Sequence, residues 1–153
     1  MLIGASTRRP DRPRTRTRVA ERCLVDTDVA SYVIRRDTRA EMYRAYLAGR
    51  QTALSFMTVA ELRRWALVRR WGEARRASLE RELRRYTIYY ADDALCTAWA
   101  ALVAEREQQG RPIAPSDAWI AATAWQAGIP LVTHNRRHFM GIPGLTVVSF
   151  APA

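Results

Sequence analysis

Five short apolar or aromatic runs near residues 23, 52, 86, 130 and 145, separated mostly by stretches with helical spacing, predict an α/β fold. The arrangement they imply is a three-layer α/β/α domain with a central parallel sheet of about five strands, covered on both faces. Length and composition agree. The chain has 153 residues, the size of one domain, and 48% of them are hydrophobic, enough to bury a core without metals or disulfides holding it together.

Taken in order, residues 1–22 carry seven arginines against Asp11 and Glu21, two prolines and no aromatic side chain, a net charge of +5. Such a segment predicts a disordered arm, one that touches nucleic acid or one that is an irrelevant start upstream of the domain. The domain then runs over 23–150, with 151–153 as a tail. Cys23 to Val25 reads as a strand that leads into Asp26, Thr27 and Asp28, and Val29 to Ile34 as one or two helical turns. A helix from Thr38 to Ala48, capped by Asp37 and stopped by Gly49, precedes a β-type run from Thr52 to Phe56.

Thr58 opens a helix to about Val68, with Leu62, Trp65 and Ala66 on one face and Arg63, Arg64, Arg69 and Arg70 on others; Gly72 breaks it. An arginine-dense helix from Glu73 to about Arg85 gives way to a strand, Tyr86 to Tyr90. Asp92 or Asp93 caps a helix to about Gln109, whose Leu95, Trp99, Leu102 and Val103 recur at helical spacing before Gly110. The next helix has Ser116 as N-cap, Asp117 in its first turn, Ile120, Thr123, Ala124 and Ala127 on one face, and Gly128 as its stop. Pro130 to Thr133 reads as a short buried strand. A short turn follows Asn135 through Phe139, and Leu145 to Phe150 forms the last strand.

All 25 basic residues are arginine, which against 15 acids gives a formal net charge of +10. The excess favours a polyanionic partner, since arginine grips phosphate with a two-pronged fork; arginine bias from a GC-rich genome explains the missing lysine equally well. Cys23 and Cys96 have no metal-ligand spacing, so neither zinc nor a disulfide framework is expected. No run approaches the ~18 apolar residues of a membrane span, and no apolar stretch follows the N-terminal charges, so the expectation is a cytoplasmic protein with no membrane partner.

Three acids draw attention together. Each alone has a structural explanation: Asp26 as an N-cap, Glu61 as the far end of a capping box begun by Thr58, and Asp117 as a complement to the helix dipole. Each also falls at a strand-to-helix junction or in a first helical turn, the end of an α/β sheet where binding sites collect. Converging carboxylates raise one another's pKa and persist at neutral pH only beside cations. Carboxylate oxygens suit Mg²⁺ or Mn²⁺, which can activate water against phosphorus. With the arginine surplus, phosphodiester hydrolysis is the economical chemistry.

The runs LVDTDV (24–29), SFMTVAEL (55–62), RPIAPSDAWIAATAWQAGIPLVTHNRRHF (111–139) and IPGLTVVS (142–149) together resemble PIN-domain proteins of the VapC toxin type. The resemblance covers about 23–150. It implies a Mg²⁺- or Mn²⁺-dependent endoribonuclease, a toxin that is usually dimeric, acting on RNA such as transfer RNA and neutralised by a small VapB-type antitoxin. That antitoxin is expected to wrap the arginine-rich helices between about Glu61 and Arg85, helices that could equally form a homodimer contact.

Carried over residue by residue, the resemblance makes Asp26, Glu61 and Asp117 the first three acids of a catalytic, metal-binding quartet. Asn135 takes the fourth position, commonly Asp in relatives. Where Asn stands there, an Asp often follows three residues later; here that residue is His138. The departure motivates the alternative of a catalytically weakened module of the same fold that binds nucleic acid or antitoxin. Asp28, where many relatives have Asn, either adds charge near the site or caps the following helix. Thr27, Ser116 and Thr133 are accessory candidates that could donate hydrogen bonds to carboxylates or phosphate, and His138 could protonate a leaving oxygen. His134 is expected to be a surface or hydrogen-bonded residue. Arg63, Arg64, Arg136 and Arg137 are the RNA-backbone candidates. The five tryptophans, Trp65, Trp71, Trp99, Trp119 and Trp125, are expected in the core or an interface.

Overall fold

The computed structural model describes residues 20–152. The arm expected over 1–22 therefore lies outside the described residues except at its end, where Arg22 opens the first strand and the Glu21 carboxylate pairs with Arg50 at 3.0 Å.

Five parallel strands form one sheet in the order β3-β2-β1-β4-β5: β1 (Arg22–Val25), β2 (Gln51–Ser55), β3 (Thr87–Tyr89), β4 (Leu131–Val132) and β5 (Val147–Val148). The sheet and its two helical layers are those the sequence predicts. Alternation along the strands sorts the core. Leu24, Ala53 and Leu131 face one layer, with α5 (Asp93–Gln108), α6 (Pro115–Ala127) and α7 (Arg136–Phe139). Cys23, Val25, Leu54 and Val132 face the other, with α1 (Thr27–Arg35), α2 (Glu41–Leu47), α3 (Phe56–Val68) and α4 (Glu73–Leu83). Strands buried on both faces need no polar alternation, which is why they read as short apolar runs.

Several boundaries move for local physical reasons. The helix expected over Thr38–Ala48 begins as a 3₁₀ turn, Thr38–Ala40, whose Arg39 N–H is met by the Asp37 carboxylate, and only then becomes α2. Thr58 does not open α3. Ser55 caps it one turn earlier by accepting from the Met57 N–H, which leaves Thr58 fully buried within the first turn and dissolves the capping box with Glu61. Ser116 is likewise no cap: Pro115 takes the first helical position, where a missing N–H costs nothing, so Ala114 becomes the cap and Ser116 the second residue of α6. Asp92, of the two aspartates considered, caps α5 by accepting from the Leu95 N–H. Gly128 ends α6 at φ 64°, the left-handed geometry that glycine adopts without strain.

The aromatic side chains behave as packing groups. Trp99 and Trp119 stack at 4.9 Å between α5 and α6, with Phe56 edge-on to Trp119. Trp65 and Trp71 pack against the opposite core layer, and Trp125 is partly exposed. Both cysteines are free, Cys23 buried and Cys96 exposed. Among the described residues, no helix is long and apolar enough to cross a membrane.

Candidate active site

β1 is the strand from which the chain turns both ways, its neighbours β2 and β4 leading to opposite edges. Asp26 directly follows it, at the carboxyl end of the sheet and at the switch point where α/β proteins bind ligands. Its side chain is almost fully buried. One carboxylate oxygen accepts from the Thr27 N–H at 2.7 Å, capping α1, and the other accepts from the Thr133 hydroxyl at 2.6 Å. Capping and a place in the site are thus the same geometry rather than alternatives.

Thr27 and Thr133 organise the rest. The Thr27 hydroxyl donates to Oε2 of Glu61 at 2.5 Å and lies 3.0 Å from the Thr58 hydroxyl, so α1 and α3 meet through a polar node directly behind the acids. Thr133, also buried, accepts from the Asn135 N–H at 3.0 Å while it donates to Asp26. Asp28 accepts from the Val29 N–H at 2.6 Å and, across the sheet end, from the His134 N–H at 3.0 Å. It therefore pins the loop after β4 as well as serving the start of α1. His134 is a packed residue: its ring stands edge-on to Tyr32 and Tyr43, with Nδ1 2.8 Å from the Tyr43 hydroxyl.

Asp117, in the first turn of α6, meets His138 of α7, with Nδ1 2.8 Å from Oδ2. The His138 ring also contacts the Asn135 amide. Ser116 is half-buried and makes no side-chain hydrogen bond among the described residues. Of the arginine candidates, Arg136 and Arg137 line an open cavity of about 620 Å³ together with His134, Asn135, Met140 and Ser149, and none of the acids lines it. Arg63 instead spends its fork on Glu80, two contacts of 2.9 Å between α3 and α4. Arg64 is exposed on α3.

The electrostatics are those of an unneutralised acid site. Burial, then the charges of Asp28 and Asp117, push the Asp26 carboxyl up to about 8, outweighing the lowering effect of its two hydrogen bonds. Burial also raises Asp28, partly offset by the N–H groups of His134 and Val29. No arginine pairs with Asp26, Asp28, Glu61 or Asp117 among the described residues, although other acids of the fold find one. Such a donor set fits a hard divalent cation in its chemistry. The fit is not one of preformed coordination: among the described residues, no three His, Cys, Asp or Glu side chains stand close enough together to hold an ion.

Residues 23–143 match the PIN domain family. The chain belongs to the PIN domain family, among its VapC proteins. It is 32% identical over 130 residues to Ribonuclease VapC4 of Mycobacterium tuberculosis, covering 84% of this chain and 96% of that protein. To the tRNA(fMet)-specific endonuclease VapC of Shigella flexneri it is 30% identical over 122 residues, covering 80% and 92%. Among solved structures, FitAcB of Neisseria gonorrhoeae superposes with TM-score 0.70 at 25% identity, over 83% of this chain and 96% of that one. VapBC2 of Rickettsia felis, bound to a DNA fragment from its promoter, shares the fold with TM-score 0.75 at 24% identity, over 84% and 98%. Within this VapC-type fold, the residues that local sequence patterns miss are Thr58, hidden as an apparent cap, and the double role of Thr133. The sequence names Thr133 as a donor to a carboxylate but not as the acceptor of the Asn135 N–H.

Proposed function

We propose that the chain is the toxin of a toxin–antitoxin pair and acts as a divalent-metal-dependent endoribonuclease that hydrolyses RNA phosphodiester bonds. The observation that carries this reading is Asp26, a buried carboxylate without a cationic partner among the described residues, at the switch point of a parallel sheet in a chain whose relatives bear the names of ribonucleases. Asp26, Glu61 and Asp117 are the residues that would hold Mg²⁺ or Mn²⁺, with the Asn135 amide completing the set. A cation bound there neutralises the carboxylates and stabilises charge on a phosphoryl transition state. Thr27 orients Glu61, and Thr133 holds Asp26 and the Asn135 backbone in one register. Arg136 and Arg137 flank the cavity beside Asn135 and are the groups to bind RNA phosphates there.

The test is cleavage of total and transfer RNA by the full chain with Mg²⁺ or Mn²⁺, beside DNA of the same sequence, using Asp117→Asn as control. We expect cleavage of RNA that falls at least 100-fold in the variant. Equal activity in the variant removes the site assignment, and binding without turnover identifies a weakened module instead.

For the antitoxin, the groove between α3 and α4 supports the surface expected from the sequence. It is lined by Arg63, Ala66, Leu67, Arg76, Leu79 and Glu80, and Leu67 and Val68 are 63% and 65% exposed. An apolar rim set among arginines fits an amphipathic, acidic peptide segment. Cytoplasmic action follows from an RNA substrate, and a homodimer is to be checked by mass measurement in solution.

A further inference from the structure

His138 lies beside both Asp117 and Asn135 in the candidate site. It sits on α7, whereas Asp117 sits on α6, and its Nδ1 approaches Oδ2 of Asp117 to 2.8 Å. Its ring nitrogens Nε2 and Nδ1 stand 2.8 and 3.2 Å from the Asn135 side-chain amide. The imidazole thus touches the third and fourth residues of the quartet at once. It is also half-exposed.

The spacing is that of neighbouring ligands. Two donor atoms bound side by side to one octahedral cation, each at about 2.1 Å, stand about 3.0 Å apart. Asp117 Oδ2 and His138 Nδ1, 2.8 Å apart, stand close to that separation. A half-turn of the Asn135 amide, whose oxygen and nitrogen are nearly equivalent in shape, presents a carbonyl oxygen to the same place. Asn135 itself brings no charge, so the character of this half of the donor set is decided by what His138 adds. An all-oxygen set suits Mg²⁺; an imidazole nitrogen favours first-row transition ions.

We propose that His138 is a metal ligand, which makes the site a mixed oxygen and nitrogen set that selects Mn²⁺, or another first-row transition dication, over Mg²⁺. This rests on the metal-dependent reading of the site given above. The rival is a plain hydrogen bond that staples α7 to α6 and leaves ion preference untouched.

The full chain is loaded with Mn²⁺ and studied by pulsed electron paramagnetic resonance, and Mn²⁺ and Mg²⁺ are titrated calorimetrically into the parent, His138→Gln and Asp117→Asn. Circular dichroism checks that each variant is folded. The parent is expected to show ¹⁴N coupling from a coordinated imidazole that His138→Gln abolishes, with Mn²⁺ preference over Mg²⁺ falling by about tenfold or more. Mn²⁺ binding that is equal in the parent and His138→Gln but lost in Asp117→Asn overturns the role of His138 and leaves the cation site standing. ¹⁴N coupling that persists in His138→Gln also overturns it. Absence of Mn²⁺ binding by the folded parent defeats the metal-dependent reading itself.

Discussion

Replacing Asp26 by Asn should make the protein more stable at neutral pH while removing a residue of its proposed chemistry. The carboxyl of Asp26 has an ordinary value of 3.8 and is pushed up to about 8 in the fold, chiefly by burial. The folded chain therefore holds this proton more tightly than the unfolded chain does. Between about pH 4 and 8, stability falls as pH rises, by up to about 1.4 kcal/mol per pH unit. At pH 7 the deficit reaches at most about 4 kcal/mol, a large share of the 5–15 kcal/mol typical of a domain. Asp26→Asn removes the buried charge. It weakens the hydrogen bonds to the Thr27 N–H and the Thr133 hydroxyl, at a cost of about 1–2 kcal/mol. The net gain is about 2–3 kcal/mol at pH 7, a rise in Tm of roughly 10 °C for a domain of this size. Melting curves followed by circular dichroism in EDTA, from pH 4 to 8, should show the gain growing with pH, vanishing near pH 5 and reversing below it. Added Mn²⁺ should raise the parent's Tm most at pH 8 and the variant's little. A variant that melts at or below the parent at pH 8, or an offset that ignores pH, would refute the electrostatic account.

Two further outcomes concern neighbouring groups. Thr27→Val keeps the N–H that Asp26 accepts in capping α1 but frees Glu61, so RNA cleavage should drop about 10- to 100-fold with at most about 2 kcal/mol lost in a urea unfolding curve. A cleavage rate unchanged from the parent would show that Glu61 needs no orienting. Leu67→Glu, on an exposed position of the α3–α4 groove, should leave the melting temperature within a few degrees yet weaken binding of the antitoxin by about 10-fold or more in a calorimetric titration.

Much of the fold could be read along the chain because its signals are local. Asp37, Asp92 and Gly128 act on N–H and C=O groups within a few residues, and each ends or starts a helix where its chemistry requires. Where two local signals compete, position decides. Ser55 wins the start of α3 from Thr58, and Pro115 displaces Ser116 from the cap of α6. The acids were legible as a set only through the order of strands and helices, since each alone has an ordinary capping role. Thr27 and Thr133 were legible as hydrogen-bond donors to carboxylates, but which acid each one serves was not. Thr133 reaches Asp26 from 107 residues away, and His138 finds Asp117 only because α7 folds back on α6, contacts that no periodicity encodes.

The order of strands in the sheet has a consequence for the timing of synthesis. Asp26 and Glu61 leave the ribosome early, on the β1–β2 half, whereas Asp117, Thr133 and Asn135 belong to α6 and the segment after β4, which seats itself beside β1 only after Leu131 has emerged. A nascent or prematurely ended chain short of that point lacks the second wall of its own site. Assembly of the candidate cluster is thereby tied to near-completion of translation, since β4 and the segment after it join β1 last.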